Sequence, residues 1–182
     1  MPEHPGFELN QIDGRSMVRL RVRPSGADAA GKALQLPREA LQWQGEDPAA
    51  CWLGPDQWLL TSDTKSAQEI TDHIDRMLTS QLHAATDMSS GNVCFSLSGK
   101  AARIILGMGC GIDMHVSAFT KGQCIHTHFA NVLLFIVVTD DNDFNLYVDR
   151  SHARYLRDWF GRSGEDPVTR ASNRMKRPTL RQ

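Results

Sequence analysis

The clearest hydrophobic pattern in the chain lies over residues 92–106, NVCFSLSGKAARIIL. Val93, Phe95 and Leu97 alternate with Cys94, Ser96 and Ser98, the two-residue period of a strand with one apolar face. Ser98-Gly99 interrupts the alternation. Ala101, Ala102, Ile104, Ile105 and Leu106 then recur at helical spacing until Gly107 and Gly109 end the run. The stretch predicts a strand, a tight turn and a helix, and it holds no side chain suited to act as nucleophile, base or ligand.

The same reading extends along the chain. Residues 1–16 are polar, carry two prolines and predict an N-terminal arm. Val18, Leu20 and Val22 form one face of a strand over 17–23, with Arg19 and Arg21 on its solvated face. Residues 24–31 read as loop and 34–37 as a short strand. Gly54-Pro55-Asp56 separates two apolar runs between 51 and 60, which predicts a hairpin. Asp63 or Thr64 is expected to cap a helix over 65–82 with Ile70, Ile74, Met77 and Leu78 on its buried face. A turn-rich connection over 85–92 leads into the opening stretch. Residues 110–118 read as irregular. Two adjacent strands follow over 121–130 and 131–139, then an acidic turn at Asp140-Asp141-Asn142-Asp143 and a last strand over 144–148. Asp149 to Ser151 opens a final helix whose buried side is Tyr155, Leu156, Trp159 and Phe160.

Element order repeats weakly: a strand, then a second strand, a polar cap and an amphipathic helix, once in each part of the chain. This predicts an α+β domain over 17–160 made of two packed β-α-β-rich halves, about 17–84 and 85–160. Beyond it, 161–182 is a basic tail with Arg162, Arg170, Arg174, Lys176, Arg177 and Arg181 against Glu165 and Asp166.

Charge and composition narrow the function. Lys and Arg number 20 against 21 Asp and Glu, a net charge of −1, so the broad basic surface that phosphate neutralisation needs is absent and no nucleic acid is expected. The most apolar run, VLLFIVV at 132–138, is far too short to cross a bilayer. The opening MPEHPGFELN has neither a basic nor an apolar leader region. Cys51, Cys94, Cys110 and Cys124 form no CxxC pair and read as reduced thiols of a cytoplasmic protein.

Candidate chemistry is sparse. Cys124, His126 and His128 share one face of a strand and would need a fourth donor, His115 or Cys110, to hold zinc. Their spacing is neither CxxC nor HxxxH, and a half-exposed strand face is the simpler reading. Cys110, between Gly109 and Gly111, has His115 five residues on, but only sequence proximity joins them. Gly107 to Gly111 follows a helix, whereas a phosphate cradle follows a strand and opens a helix. Ser89-Ser90-Gly91 is no nucleophile elbow. Asp87, Asp113 and the 140–143 cluster supply carboxylates, and the cluster reads most simply as a turn. No catalytic, cofactor-binding or metal-ligating residue is assigned.

A family resemblance rests on several segments in order. LGPDQWLL at 53–60, DMSSGNVCFSLSGKAARIILGMGCGIDMH at 87–115, FTKGQC at 119–124 and the closing strand and helix over 144–159 resemble the gamma subunit of heterotetrameric sarcosine oxidase. The resemblance implies the fold of the folate-binding aminomethyltransferase superfamily. It further implies a subunit without its own cofactor, joined to alpha, beta and delta subunits that carry FAD, FMN, NAD, zinc and the tetrahydrofolate site. Such a complex demethylates sarcosine to glycine, yielding peroxide and a one-carbon unit for tetrahydrofolate. Two rivals are a free-standing folate-binding one-carbon transfer protein and a zinc-binding module on Cys124, His126 and His128. The first requires a longer chain, or the Lys-Gly-Cys-Tyr motif of the related iron–sulfur assembly factor, which Lys121-Gly122-Gln123-Cys124 does not match.

Overall fold

A computed structural model of the chain describes residues 6–163. The basic tail from residue 164 onward lies outside the described residues. The chain forms an α+β fold of two five-stranded antiparallel sheets. One sheet contains β2 (Ser16–Val22), β3 (Trp43–Gln44), β4 (Ala49–Gly54), β5 (Gln57–Ser62) and β6 (His83–Asp87) in the order β3-β4-β5-β2-β6. The other contains β1 (Glu8–Ile12), β7 (Asn92–Ser98), β8 (Cys124–Phe129), β9 (Val132–Asp140) and β10 (Asp143–Asp149) in the order β1-β7-β10-β9-β8. Helices α1 (Ala27–Ala33) and α2 (Ala67–Met77) accompany the first sheet; α3 (Ala102–Gly107) and α4 (Ala153–Ser163) accompany the second.

The layers follow from strand alternation. On β2, Val18, Leu20 and Val22 join Ile70, Ile74 and Leu78 in one core. On β7, Val93, Phe95 and Leu97 join Ile105, Leu106, Leu156 and Phe160 in a second. The intervening residues turn the other way: Met17 from β2 and Cys94 from β7 meet in a third apolar cluster with members from both sheets. The order is helix, sheet, sheet, helix. The sheets also join at one edge, where Trp43 N donates to Gly122 O (2.9 Å), Cys124 N to Leu41 O (2.7 Å) and Trp43 Nε1 to Val138 O (2.9 Å).

The turn after β7 needs its glycine. Gly99 has φ +110°, and a Cβ there would lie 2.6 Å from Gly6 O and 2.9 Å from Phe7 Cα. That contact is where the first described residues cross the turn.

Several expectations are corrected. The N-terminal arm expected over 1–16 includes a strand: Glu8–Ile12 pairs with β7 from Glu8↔Ser98 to Ile12↔Cys94, with Leu9 against the second core. The connection expected over 85–92 begins with β6, which pairs Val18↔Asp87 through Val22↔His83. Its sequence HAATD lacks the alternation that marks a strand, and β2 supplies the pairing. The loop expected over 24–31 holds most of α1, whose alanines favour helix. The strand expected over 34–37 does not form: Leu34 N and Leu36 N bond to the end of α1, and Gln35 takes φ +51°.

Helix α2 is shorter than the expected 65–82. Ser66 caps it, rather than Asp63 or Thr64, in a reciprocal box with Glu69: Ser66 N donates to Glu69 Oε2 (2.8 Å) and Glu69 N to Ser66 Oγ (3.2 Å). Met77, expected on the buried face, is 44% exposed, while Ile70, Ile74 and Leu78 are buried.

His83 ties α2 to β6. Its Nε2 lies 2.9 Å from Asp75 Oδ1 and its Nδ1 2.9 Å from Gln81 O. The Asp75 carboxylate, and then the Gln81 carbonyl, raise its pKa above the ordinary value. A raised histidine stabilises the fold fully below its unfolded-state pKa and loses that contribution as pH rises through the folded-state value. Urea unfolding is expected to show about 0.5–1 kcal/mol lost between about pH 6 and pH 9, and none of that loss in His83→Gln. Equal pH profiles for the two proteins refute the assignment.

Candidate functional site

The cluster between the sheets concentrates the buried titratable groups. Met17, Cys51 and Leu59 of the first sheet face Cys94, Cys124, Phe135, Val137 and Tyr147 of the second. Arg15, in the link from β1 to β2, lies at one end, where it lines a second cavity of about 340 Å³ together with Cys51, Asp63 and Tyr147. Its Nε and Nη2 donate to Asp63 Oδ1 and Oδ2 at 2.7 and 2.6 Å, and its Nη1 to Tyr147 Oη at 3.2 Å and Cys94 Sγ at 3.5 Å. One guanidinium thus reaches groups of both sheets.

Electrostatics make this layer unreactive. Burial draws the Arg15 pKa down, but the bond to Asp63, with Tyr147 and Cys94 beside it, outweighs burial and leaves it raised. Asp63 in turn is held below the usual carboxylate range by its bond to Arg15. A bond to Cys124, followed by burial, pushes the Cys51 thiol well up. Burial pushes Cys94 up to about 11 and is the main cause that raises Tyr147. At neutral pH these three groups stay protonated, and the thiolate that nucleophilic cysteine chemistry needs is absent from Cys51 and Cys94.

Beyond Met17 and Tyr147 the sheets part. There they enclose a cleft of about 390 Å³ with Leu53, Leu59, Met88, Leu133 and Phe135 among its apolar walls and Arg19, His126, Asp149 and His152 among its polar groups.

The structure does not bring the Cys124, His126, His128 row together as a ligand set. Cys124 is fully buried, and its thiol donates to Gln42 O (3.3 Å) and Trp52 O (3.6 Å). His126 is exposed at the cleft, its ring 4.5 Å from that of Phe135, and packing there lowers its pKa. His128 is exposed opposite Leu133. Cys110 packs against the core on the helix side of the second sheet, whereas Cys124 belongs to the cluster between the sheets. Burial pushes Cys110 up to about 11. His115 is engaged 2.7 Å from Ser117 Oγ, with its backbone N–H on Asp113. Among the described residues no three His, Cys, Asp or Glu side chains are grouped to hold a metal ion.

Of the glycines at 107, 109 and 111, only Gly109 is required by close packing. A Cβ on Gly109 would lie 2.6 Å from the Phe129 ring. Arg15 and Tyr147 are the residues sequence reasoning did not single out. Arg19, expected on a solvated strand face, is exposed and lines the cleft.

Residues 23–165 match the sarcosine oxidase gamma subunit family. The chain belongs to that family. Among curated relatives, the sarcosine oxidase gamma subunit of Corynebacterium sp. (strain U-96) is 25% identical over 157 residues, covering 83% of this chain and 76% of the relative. That of Arthrobacter sp. is 28% identical over 142 residues, covering 75% and 69%. The fold is also seen in solved structures. A chain of the heterotetrameric sarcosine oxidase from Corynebacterium sp. U-96, in complex with pyrrole 2-carboxylate, superposes with a TM-score of 0.78 at 23% identity, covering 87% of this chain and 83% of that one. Aminomethyltransferase T of the glycine cleavage system from Bartonella henselae superposes with a TM-score of 0.65 at 12% identity, covering 85% of this chain and 45% of that one. The family and the aminomethyltransferase-like fold implied by the sequence resemblance are therefore those observed. No helix among the described residues is long and apolar enough to cross a membrane.

Proposed function

We propose that this gamma-family chain is a non-catalytic, structural subunit of a cytoplasmic heterotetrameric sarcosine oxidase-like flavoenzyme. Its partners are alpha, beta and delta subunits, and FAD, FMN, NAD, zinc and tetrahydrofolate are held on those partners. The complex oxidatively demethylates sarcosine to glycine, with peroxide formed and the one-carbon unit passed to tetrahydrofolate. The observation that carries the non-catalytic role is the state of the layer between the sheets. The Cys51 and Cys94 thiols and the Tyr147 phenol are protonated and buried, and Arg15 is committed to Asp63.

Co-expression with the three partner subunits tests the proposal. The chain is expected to co-purify in equimolar amount, and soluble complex is expected to fall sharply when it is omitted. Cys110→Ser and His115→Ala are expected to leave sarcosine turnover per assembled complex unchanged. A chain that stays monomeric beside its partners, and binds tetrahydrofolate by calorimetry, would replace this reading with a free-standing folate protein. Loss of turnover in either variant would assign catalysis to this chain.

A further inference from the structure

We propose that the cleft at the open end of the layer between the sheets binds a small organic anion with a flat apolar body, its acid group on Arg19. The inference is independent of the proposed assembly and rests on the cleft alone.

The first observation is an unpaired cation. Arg19 and Arg21 alternate with Leu20 and Val22, so they share a face of β2 with Met17 and are both exposed, and Arg15 lies just before the strand. Arg15 is held by Asp63, and Arg21 Nε lies 3.5 Å from Asp56 Oδ2. The Arg19 side chain alone of the three has no hydrogen-bond or ion-pair partner. It lines the cleft of about 390 Å³.

The second observation concerns the carboxylate in the same cleft. Asp149 Oδ1 accepts from Ser151 N (2.8 Å) and Ser151 Oγ (2.6 Å), and its carboxyl is held low by these bonds, with His152 adding a weaker pull. Asp149 thus has local donors and leaves Arg19 unanswered.

The third is uncovered apolar surface. On β9 the inward-facing Phe135 and Val137 are buried, whereas Leu133, next on the same face, is 55% exposed at the cleft mouth. An exposed guanidinium without a protein partner, beside an open apolar wall, suits one kind of ligand: an apolar body against Met17, Leu133 and Phe135, with a carboxylate or sulfonate on Arg19. The volume falls within the range of roughly 300–1,000 Å³ typical of small-molecule sites. The concave shape between two sheets favours such a molecule over the flat face of a protein partner.

The test is fluorescence titration of the full-length chain with 8-anilinonaphthalene-1-sulfonate and with N-phenyl-1-naphthylamine, the same body without the acid group. The sulfonate is expected to bind saturably at one site per chain. Arg19→Gln is expected to weaken it about tenfold, the worth of one charge-assisted hydrogen bond. The same variant leaves the uncharged amine unaffected. Leu133→Gln weakens both probes. Ile104→Gln, on the exposed side of α3, changes neither. Non-saturable binding, sulfonate binding indifferent to Arg19→Gln, or binding removed by Ile104→Gln overturns the proposal. So does exclusion of the sulfonate from the assembled complex while the free chain binds it, since a partner segment would then be the occupant.

Discussion

Replacing Phe129 with alanine is expected to lower the unfolding free energy by about 3–5 kcal/mol. Phe129 ends β8 and is fully buried. Its ring stacks on Phe160 at 5.2 Å with planes 5° apart and meets Trp159 edge-on at 4.5 Å. Beneath it Gly109 approaches so closely that a methyl group would collide with the ring. The residue also pairs by a β-bridge with Cys110. Truncation therefore opens a cavity where β8, α4 and the turn after α3 converge, and none of these can close it without moving backbone. Guanidinium unfolding measures the loss. Phe129→Leu, which refills much of the space, is expected to recover more than half of it. A loss under about 1 kcal/mol in the alanine variant would show that the site collapses freely and that the ring stack is incidental.

Arg103→Met is expected to remove about 2–4 kcal/mol, because three backbone carbonyls lose a charged donor. Arg103 Nη1 donates to Met114 O (2.8 Å) and Phe119 O (2.9 Å), and Nε to Asp141 O. Its guanidinium lies 5.1 Å from the Phe144 ring centre. The segment between α3 and β8 contains no helix or strand, so this side chain supplies order that no ladder provides. Methionine keeps an apolar stem of similar length and removes the donors together with the cation over Phe144. Two measurements follow: a lower unfolding midpoint, and faster trypsin cleavage at Lys121 under native conditions. Unchanged cleavage would mean that the segment is held by Met114 and Phe119 packing alone.

Much of the fold was legible because its signals are local. The alternation of Val93, Phe95 and Leu97 and the helical run to Leu106 specify their elements without reference to the rest of the chain. So do the Gly54-Pro55-Asp56 hairpin, the apolar β9 and the 3-10 turn at Arg150–His152 that leads into α4, capped where Asp149 accepts from Ser151 N. The elements misread were those with weak patterns of their own. HAATD in β6 and ELNQI in β1 become strands because β2 and β7 offer edges to pair with. Met77 reads as core by period and is exposed because α2 ends there.

The candidate site divides in the same way. The type and spacing of Cys124, His126 and His128 were readable, and their departure from known zinc spacings already counted against a metal site. Only the tertiary structure decided that Cys124 turns into the layer between the sheets while Cys110 packs on the opposite, helix side. Sequence periodicity tells which residues share a face of a strand, since that is a property of one backbone. It does not tell which of the two faces meets a second sheet, nor where the two sheets separate. Those depend on pairings between residues far apart in the chain: Arg15 with Asp63 and Tyr147, and Met17 with Cys94 and Phe135. The sequence by itself thus determined the family, the strand–turn–helix unit and the alternating faces. The tertiary structure decided that one set of faces packs Cys51, Cys94 and Cys124 between the sheets, and that at one end Arg19 stands unpaired over an open cleft.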